Sequence, residues 1–154
     1  MHTPTPTIQQ VSIAPAGLIN AFLLHSGSHT ILIDSGLPGT EQKVERALAQ
    51  HGKTLSDLSL IIITHAHIDH AGNAATLQRL SGARILAHEA ERPYLLGEKT
   101  MTFCATGWFG TLFKMTGAIQ KNYTACDPDI VMNDDEEFDL RSYGIKGKVV
   151  ATPG

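Results

Sequence analysis

Three histidines and an aspartate fall within six residues of one another in the segment Thr64-His65-Ala66-His67-Ile68-Asp69-His70-Ala71-Gly72. Imidazole nitrogen and carboxylate oxygen are usual ligands of zinc and related divalent metals. His65 and His67 are two apart, so in extended backbone both side chains project to the same side. Asp69 and His70 follow where the chain is expected to turn towards a helix start at Gly72-Asn73. The small residues Ala66, Ala71 and Gly72 leave room for four ligand-type side chains to converge. A single histidine at a strand end is ordinarily a polar surface residue. A cluster this dense points instead to metal binding.

The elements around the cluster are legible from pattern. Leu58-Ser59-Leu60-Ile61-Ile62-Ile63 is nearly all apolar and β-branched, as expected of a strand covered on both faces, and the cluster begins just past its end. Upstream, Val11 and Ile13 alternate with polar neighbours. Ala21-Phe22-Leu23-Leu24-His25 and Thr30-Ile31-Leu32-Ile33-Asp34 flank Ser26-Gly27-Ser28, which predicts a hairpin. The turn chemistry of Asp34-Ser35-Gly36-Leu37-Pro38-Gly39 makes a loop. A helix is predicted from Thr40 as N-cap through Glu41 to about Gln50, with Val44, Ala47 and Leu48 as its apolar stripe and Gly52 as its stop. Asn73 is expected to cap a second helix carrying Leu77 and Leu80. Arg84-Ile85-Leu86-Ala87 reads as a strand, and Glu89 to Leu96 as a short helix interrupted early by Pro93. The tail offers Ile130-Val131-Met132, an acidic turn from Asn133 to Glu137, and two strand-like pieces ending at Lys148-Val149-Val150-Ala151. This order argues for an α/β layer arrangement with mixed strand directions.

The chain has 154 residues, 42% hydrophobic and 18% charged, with a formal net charge of -3. That suits one globular domain with a real core. No basic block stands out, so a nucleic-acid partner is not indicated. The start, Met1-His2-Thr3-Pro4-Thr5-Pro6-Thr7, is neither basic nor apolar, and no stretch is long enough to span a membrane. The expected location is cytoplasmic. Cys104 and Cys126 lack metal-ligand spacing and read as free thiols.

The cluster resembles the signature of the metallo-β-lactamase-fold superfamily, His-x-His-x-Asp-His after a buried strand. Leu32-Ile33-Asp34-Ser35-Gly36 is similar to that family's strand-to-loop Asp-x-Gly element, and Ala151-Thr152-Pro153-Gly154 to its Thr-Pro-Gly-His turn, cut before the histidine. The resemblance covers essentially the whole chain. It implies an αββα sandwich, of which residues 1–154 form a single partial domain: the first half, a mixed sheet with flanking helices, without the second. It implies that His65 and His67 bind a first metal and Asp69 and His70 a second, usually zinc, with iron or manganese in some branches. Position 67 is His rather than acidic, which favours the hydrolases over the flavodiiron branch. The implied chemistry is metal-assisted hydrolysis of an ester, thioester, lactone or lactam, in which a metal acidifies a water and polarises the electrophile. Asp69 would orient or deprotonate that water, and Asp34 would support the metal loop by hydrogen bonding.

A full member of the family has three further ligands, beginning with the histidine after Thr-Pro-Gly. The expectation is therefore a truncated N-terminal portion. The alternatives are a catalytically incompetent metal-binding fragment or interaction module, and a homodimer that completes itself with His25, His29 or His88 as substitute ligands. A lone first half would leave the inner sheet face uncovered. Taken singly, His88 reads as a capping or surface residue, and Asp134 to Glu137 as a solvated turn. The segment at about 97–125, with Phe103, Trp108, Phe109, Phe113 and Ile119, reads as a cap, an insertion or ordinary core.

Overall fold

The computed structural model describes residues 5–100 and 123–152. A six-stranded mixed sheet dominates it. The strands are β1 (Thr7–Ser12), β2 (Asn20–Ser26), β3 (His29–Ile33), β4 (Leu58–Ile62), β5 (Arg84–His88) and β6 (Ile130–Met132), lying side by side in that order. The first three pair antiparallel, and β3 through β6 pair parallel. The predicted hairpin is present, closed at Gly27 with φ 56°. Parallel neighbours need a crossover, and the helices supply it: α1 (Glu41–Ala49) joins β3 to β4, and α2 (Ile68–Ala71) with α3 (Ala74–Ser81) joins β4 to β5. A four-residue α4 (Arg92–Leu95) follows β5.

Both faces of the sheet are apolar, which explains the unbroken hydrophobic run of β4. Ile61 and Ile63 face a core shared with Leu23, Leu32 and Ile85 of the sheet, Val44 and Leu48 of α1, and Leu77 of α3. Fully burying each such aliphatic side chain contributes about 1.5–3 kcal/mol. Leu60 and Ile62 face the opposite way, into a second core with Ile31, Leu86, Met132, Leu140 and Ile145. Part of that face is therefore covered by the chain's own tail, contrary to the expectation of an open inner face. The tail forms an antiparallel pair, β7 (Glu137–Asp139) with β8 (Lys148–Val150), which packs Phe138 and Val149 onto the sheet. Ser26 Oγ donates to Gly144 O at 2.6 Å and pins the connecting turn. Towards β1 and β2 the face stays open, at Ile8 (72% exposed) and Phe22 (38%).

Several predicted details differ from what is observed. Thr40 and Asn73 precede their helices but make no side-chain cap: Thr40 Oγ1 donates back to Leu37 O, and Asn73 is fully buried. Pro93 does not interrupt a helix but sits in the first turn of α4, where its missing N–H costs nothing. The helix predicted to begin at Gly72-Asn73 is preceded by α2, which starts inside the histidine cluster. Of the segment at about 97–125, residues 101–122, which include Phe103 to Ile119 and Cys104, lie outside the described residues.

Candidate metal centre

Because β3, β4 and β5 run parallel, their C-terminal ends open on one edge of the sheet, the usual place for a site in such an arrangement. Asp34 and Ser35 leave β3 there, Thr64 to His70 leave β4, and His88 to Glu91 leave β5. Past Ile63, whose N–H still bonds Leu86 O at 2.9 Å, the chain leaves the sheet. His67 is the extended N-cap of α2 (φ −65°, ψ 150°), and its carbonyl accepts from Ala71 N at 2.8 Å. His67 thus stands on extended backbone and His65 between the end of β4 and that residue, while Asp69 and His70 stand on the helical turn that follows. The two segments fold their side chains together. The His65 ring centroid lies 4.7 Å from that of His67 and 4.0 Å from that of His70, and Asp69 Oδ2 lies 3.4 Å from His70 Nε2.

Asp34 ties this edge together. It is 6% exposed and adopts the left-handed conformation, φ 59°, which aims its carboxylate across the strand ends. Oδ1 accepts from Thr64 N and Thr64 Oγ1, both at 2.9 Å, and Oδ2 accepts from His70 Nδ1 at 2.8 Å. Ser35 adds a second clasp, donating from N and Oγ to His70 O at 2.6 and 2.8 Å, and its Oγ accepts from Asn73 N. Gly72 must be small: a Cβ there would lie 2.6 Å from Pro38 Cδ.

The electrostatics follow from these contacts. Hydrogen bonds from His70 to Asp34, then to Asp69, push the His70 imidazole up to about 9. Burial, then repulsion from His70 and His67, moves His65 down, while the bond to His70 holds Asp69 below the usual carboxylate range. Two carboxylates flank the three imidazoles, and both bond to the protonated His70 ring.

The donor set fits a divalent metal in kind. Asp34 occupies His70 Nδ1, and Thr64 Oγ1 stands 3.1 Å from His65 Nδ1, which leaves His65 Nε2 as the nitrogen open to a metal. Among the described residues, no three such side chains form a closed metal-holding group. His70 Nε2 is turned to Asp69 instead.

The other candidates separate cleanly. His25 and His29 lie at the far end of the sheet, since β3 begins at His29 and reaches the site only after Ile33, roughly 15 Å away. Within this chain they cannot serve as substitute ligands. His88 does reach the site edge, lining with His65 a cavity of about 710 Å³ walled by Ile62, Leu86, Met132 and Val149. Its Nδ1 accepts from Ala90 N, as a capping residue would, and its Nε2 lies 3.3 Å from Asp134. The rest of the acidic run is exposed. Cys126 is buried, and loss of hydration pushes its thiol up to about 11. Two residues escaped sequence reasoning. Glu91 Oε2 accepts from Ala66 N at 2.7 Å, and Tyr123 OH donates to Ala66 O at 2.7 Å. Burial, then the Cys126 and Glu91 charges, pushes Tyr123 up to about 12, so it remains a donor. No pattern in the sequence marks either residue, because each acts on a backbone peptide far away in the chain.

A family model described as the metallo-beta-lactamase superfamily matches residues 14–145. The chain belongs to that superfamily. A metallo-beta-lactamase fold-containing protein of Sulfurisphaera tokodaii is 30% identical over 128 residues, covering 81% of this chain and 45% of that protein. A metal-dependent hydrolase of Pyrococcus horikoshii is 44% identical over 61 residues, 40% of this chain and 25% of its own length. The hydroxyacylglutathione hydrolase of Albidiferax ferrireducens is 34% identical over 70 residues, 46% of this chain and 25% of that enzyme. In fold, the chain superimposes on a class B3 di-zinc metallo-beta-lactamase from an Alaskan soil metagenome with a TM-score of 0.67 at 17% identity, covering 88% of this chain and 46% of that one. This member of the metallo-beta-lactamase superfamily spans less than half the length of each of these proteins. Among its described residues no helix is long and apolar enough to cross a membrane.

Proposed function

We propose that this chain carries the first half of the active centre of a metal-dependent hydrolase that cleaves an ester, thioester, lactone or lactam, with zinc as the metal. The observation that carries the reading is the gathering of His65, His67, Asp69 and His70 at the C-terminal ends of parallel strands, with Asp34 bonded to His70 behind them. In this reading His65 and His67 hold one metal ion, and Asp69 and His70 hold a second. The metal supplies Lewis acidity that activates water and polarises the scissile group.

The protein's own residues do the rest. Asp69 takes the proton of the attacking water or orients it through its carboxylate oxygens. Asp34 fixes the His70 ring and its tautomer through Nδ1. The apolar walls of the cavity beside His65 take the apolar part of the substrate and keep bulk water from it. A relative named as a metal-dependent hydrolase supports metal-dependent hydrolysis, and one named as a hydroxyacylglutathione hydrolase supports a small acyl substrate.

The test is zinc-dependent turnover of a chromogenic ester and a thioester. Turnover should appear on adding zinc and be lost in His65→Ala and in His67→Ala. A well-folded sample that binds zinc yet turns over neither substrate at saturating metal would point to a non-catalytic metal-binding module. One that binds no zinc would overturn the metal assignment as well.

A further inference from the structure

We propose that Glu91 and Tyr123 are positioning residues that clamp the two peptide groups between His65 and His67 and so set the angle between those imidazoles. The Ala66 N–H belongs to the peptide linking His65 to Ala66, and it is held by Glu91 Oε2 at 2.7 Å. The Ala66 carbonyl belongs to the peptide linking Ala66 to His67, and it is held by Tyr123 OH at 2.7 Å. Fixing both planes fixes the backbone torsions on either side of Ala66, and those decide where the two Cα–Cβ bonds point.

Neither peptide has a ladder partner to do this work, because β4 ends at Ile62 and α2 begins at Ile68. The two clamps come from separate parts of the chain, 25 and 57 residues from Ala66, and both side chains are partly shielded from water. Ala66 itself is 1% exposed, so in the parent neither bond faces bulk water. Among the described residues, the partners of the Ala66 N–H and C=O are Glu91 and Tyr123. The clamp concerns backbone geometry that exists without metal. Its purpose rests on the metal-centre reading above.

The experiment uses the full chain with Glu91→Ala, Glu91→Gln, Tyr123→Phe and, as control, Arg92→Ala. Arg92 lies next to Glu91, and its exposed guanidinium pairs with Asp127. In metal-free protein, amide hydrogen exchange at Ala66 should speed up roughly tenfold or more in Glu91→Ala, with core amides such as Ile61 unchanged. Glu91→Gln should restore protection, since its carbonyl still accepts. Cobalt(II) titration, followed by its visible absorption, should show affinity reduced about 10- to 100-fold in Glu91→Ala and severalfold in Tyr123→Phe, with a changed band shape, and parent-like binding in Arg92→Ala. Parent-like exchange at Ala66 in Glu91→Ala overturns the clamp, and so does unchanged cobalt affinity in both Glu91→Ala and Tyr123→Phe. A parent chain that takes up no cobalt while Ala66 exchange responds as stated overturns the metal reading and upholds the clamp. Where Glu91→Ala does not fold, Tyr123→Phe decides alone, because it removes one hydroxyl and leaves the packed ring.

Discussion

Replacing Asp34 tests whether one carboxylate joins the ends of β3 and β4. Three consequences can be separated. Asp34→Asn keeps an acceptor for Thr64 N and tolerates φ 59°, because asparagine is among the residues that adopt the left-handed region. It loses the charge-assisted bond to His70 Nδ1 at 2.8 Å and turns an amide N–H₂ towards it. That change should cost about 2 kcal/mol. Asp34→Gly loses every acceptor and strands the Thr64 N–H, adding about 1–3 kcal/mol, but it relieves the backbone. Asp34→Ala suffers both losses and about 1 kcal/mol more for a Cβ at positive φ. The order of stability should be parent, Asn, Gly, Ala, read from urea midpoints at neutral pH with unchanged slope. Two results would refute the reasoning. One is Asp34→Asn within about 0.5 kcal/mol of the parent, the range of an uninvolved surface position. The other is Asp34→Ala equal to or more stable than Asp34→Gly, which would mean the left-handed backbone carries no strain.

Gly72→Ala should destabilise by about 1–3 kcal/mol through overpacking alone, since its Cβ would lie 2.6 Å from Pro38 Cδ. Gly52→Ala meets open space and should cost only its positive-φ penalty, about 1 kcal/mol; thermal melting compares the two. His25 is buried between Gln9 and Thr30 and stacked on His51, and burial, then His51 and Lys53, hold it down to about 4. It is neutral when folded but takes a proton near pH 6.5 when unfolded. Its contribution is therefore full above 6.5 and is lost as pH falls towards 4, by up to about 3 kcal/mol. Urea midpoints from pH 7 to 4.5 should fall more steeply in the parent than in His25→Gln. His70, shifted the other way, keeps its full contribution below pH 6.5 and loses it only as pH rises from there towards 9. Cys126 should escape a thiol reagent at pH 8 in the folded chain and react on unfolding, as mapped by peptide mass.

What could be read in the sequence is what repeats or clusters. The β4 run announced a strand with two buried faces because Leu60 and Ile62 feed one core while Ile61 and Ile63 feed the other. The α1 stripe of Val44, Ala47 and Leu48 is buried as its spacing predicted. The histidine cluster was conspicuous because ligand-type residues are rarely so dense. Helix α2 was invisible because four residues with two buried positions, Ile68 and Ala71, make no periodic signal. The two strand-like pieces of the tail are present as β7 and β8, but at three residues each they carry too little alternation to reveal that they cover the inner face.

The supports around the cluster, of which the sequence offered Asp34 alone, have a common physical character. Asp34, Ser35, Glu91 and Tyr123 act on the backbone that carries the cluster: on Thr64 N, on the His70 carbonyl and on both peptide groups of Ala66. Side-chain patterns record which residues share a face, but a backbone partner can be any residue with the right acceptor or donor. The cluster has little regular structure of its own to hold it, one short turn between the end of β4 and α3. Its geometry must then come from these outside bonds. Two donors hold the His70 carbonyl, an acceptor and a donor hold Ala66, and Asp34 holds the start of the segment at Thr64. Removing any one leaves the ligand-type residues in place in the sequence but lets their directions drift, and a metal centre is sensitive to direction. Variants at Glu91 and Tyr123 should therefore show in metal binding before they show in the fold, whereas variants at Asp34 should show in both and variants in the two apolar cores chiefly in the fold.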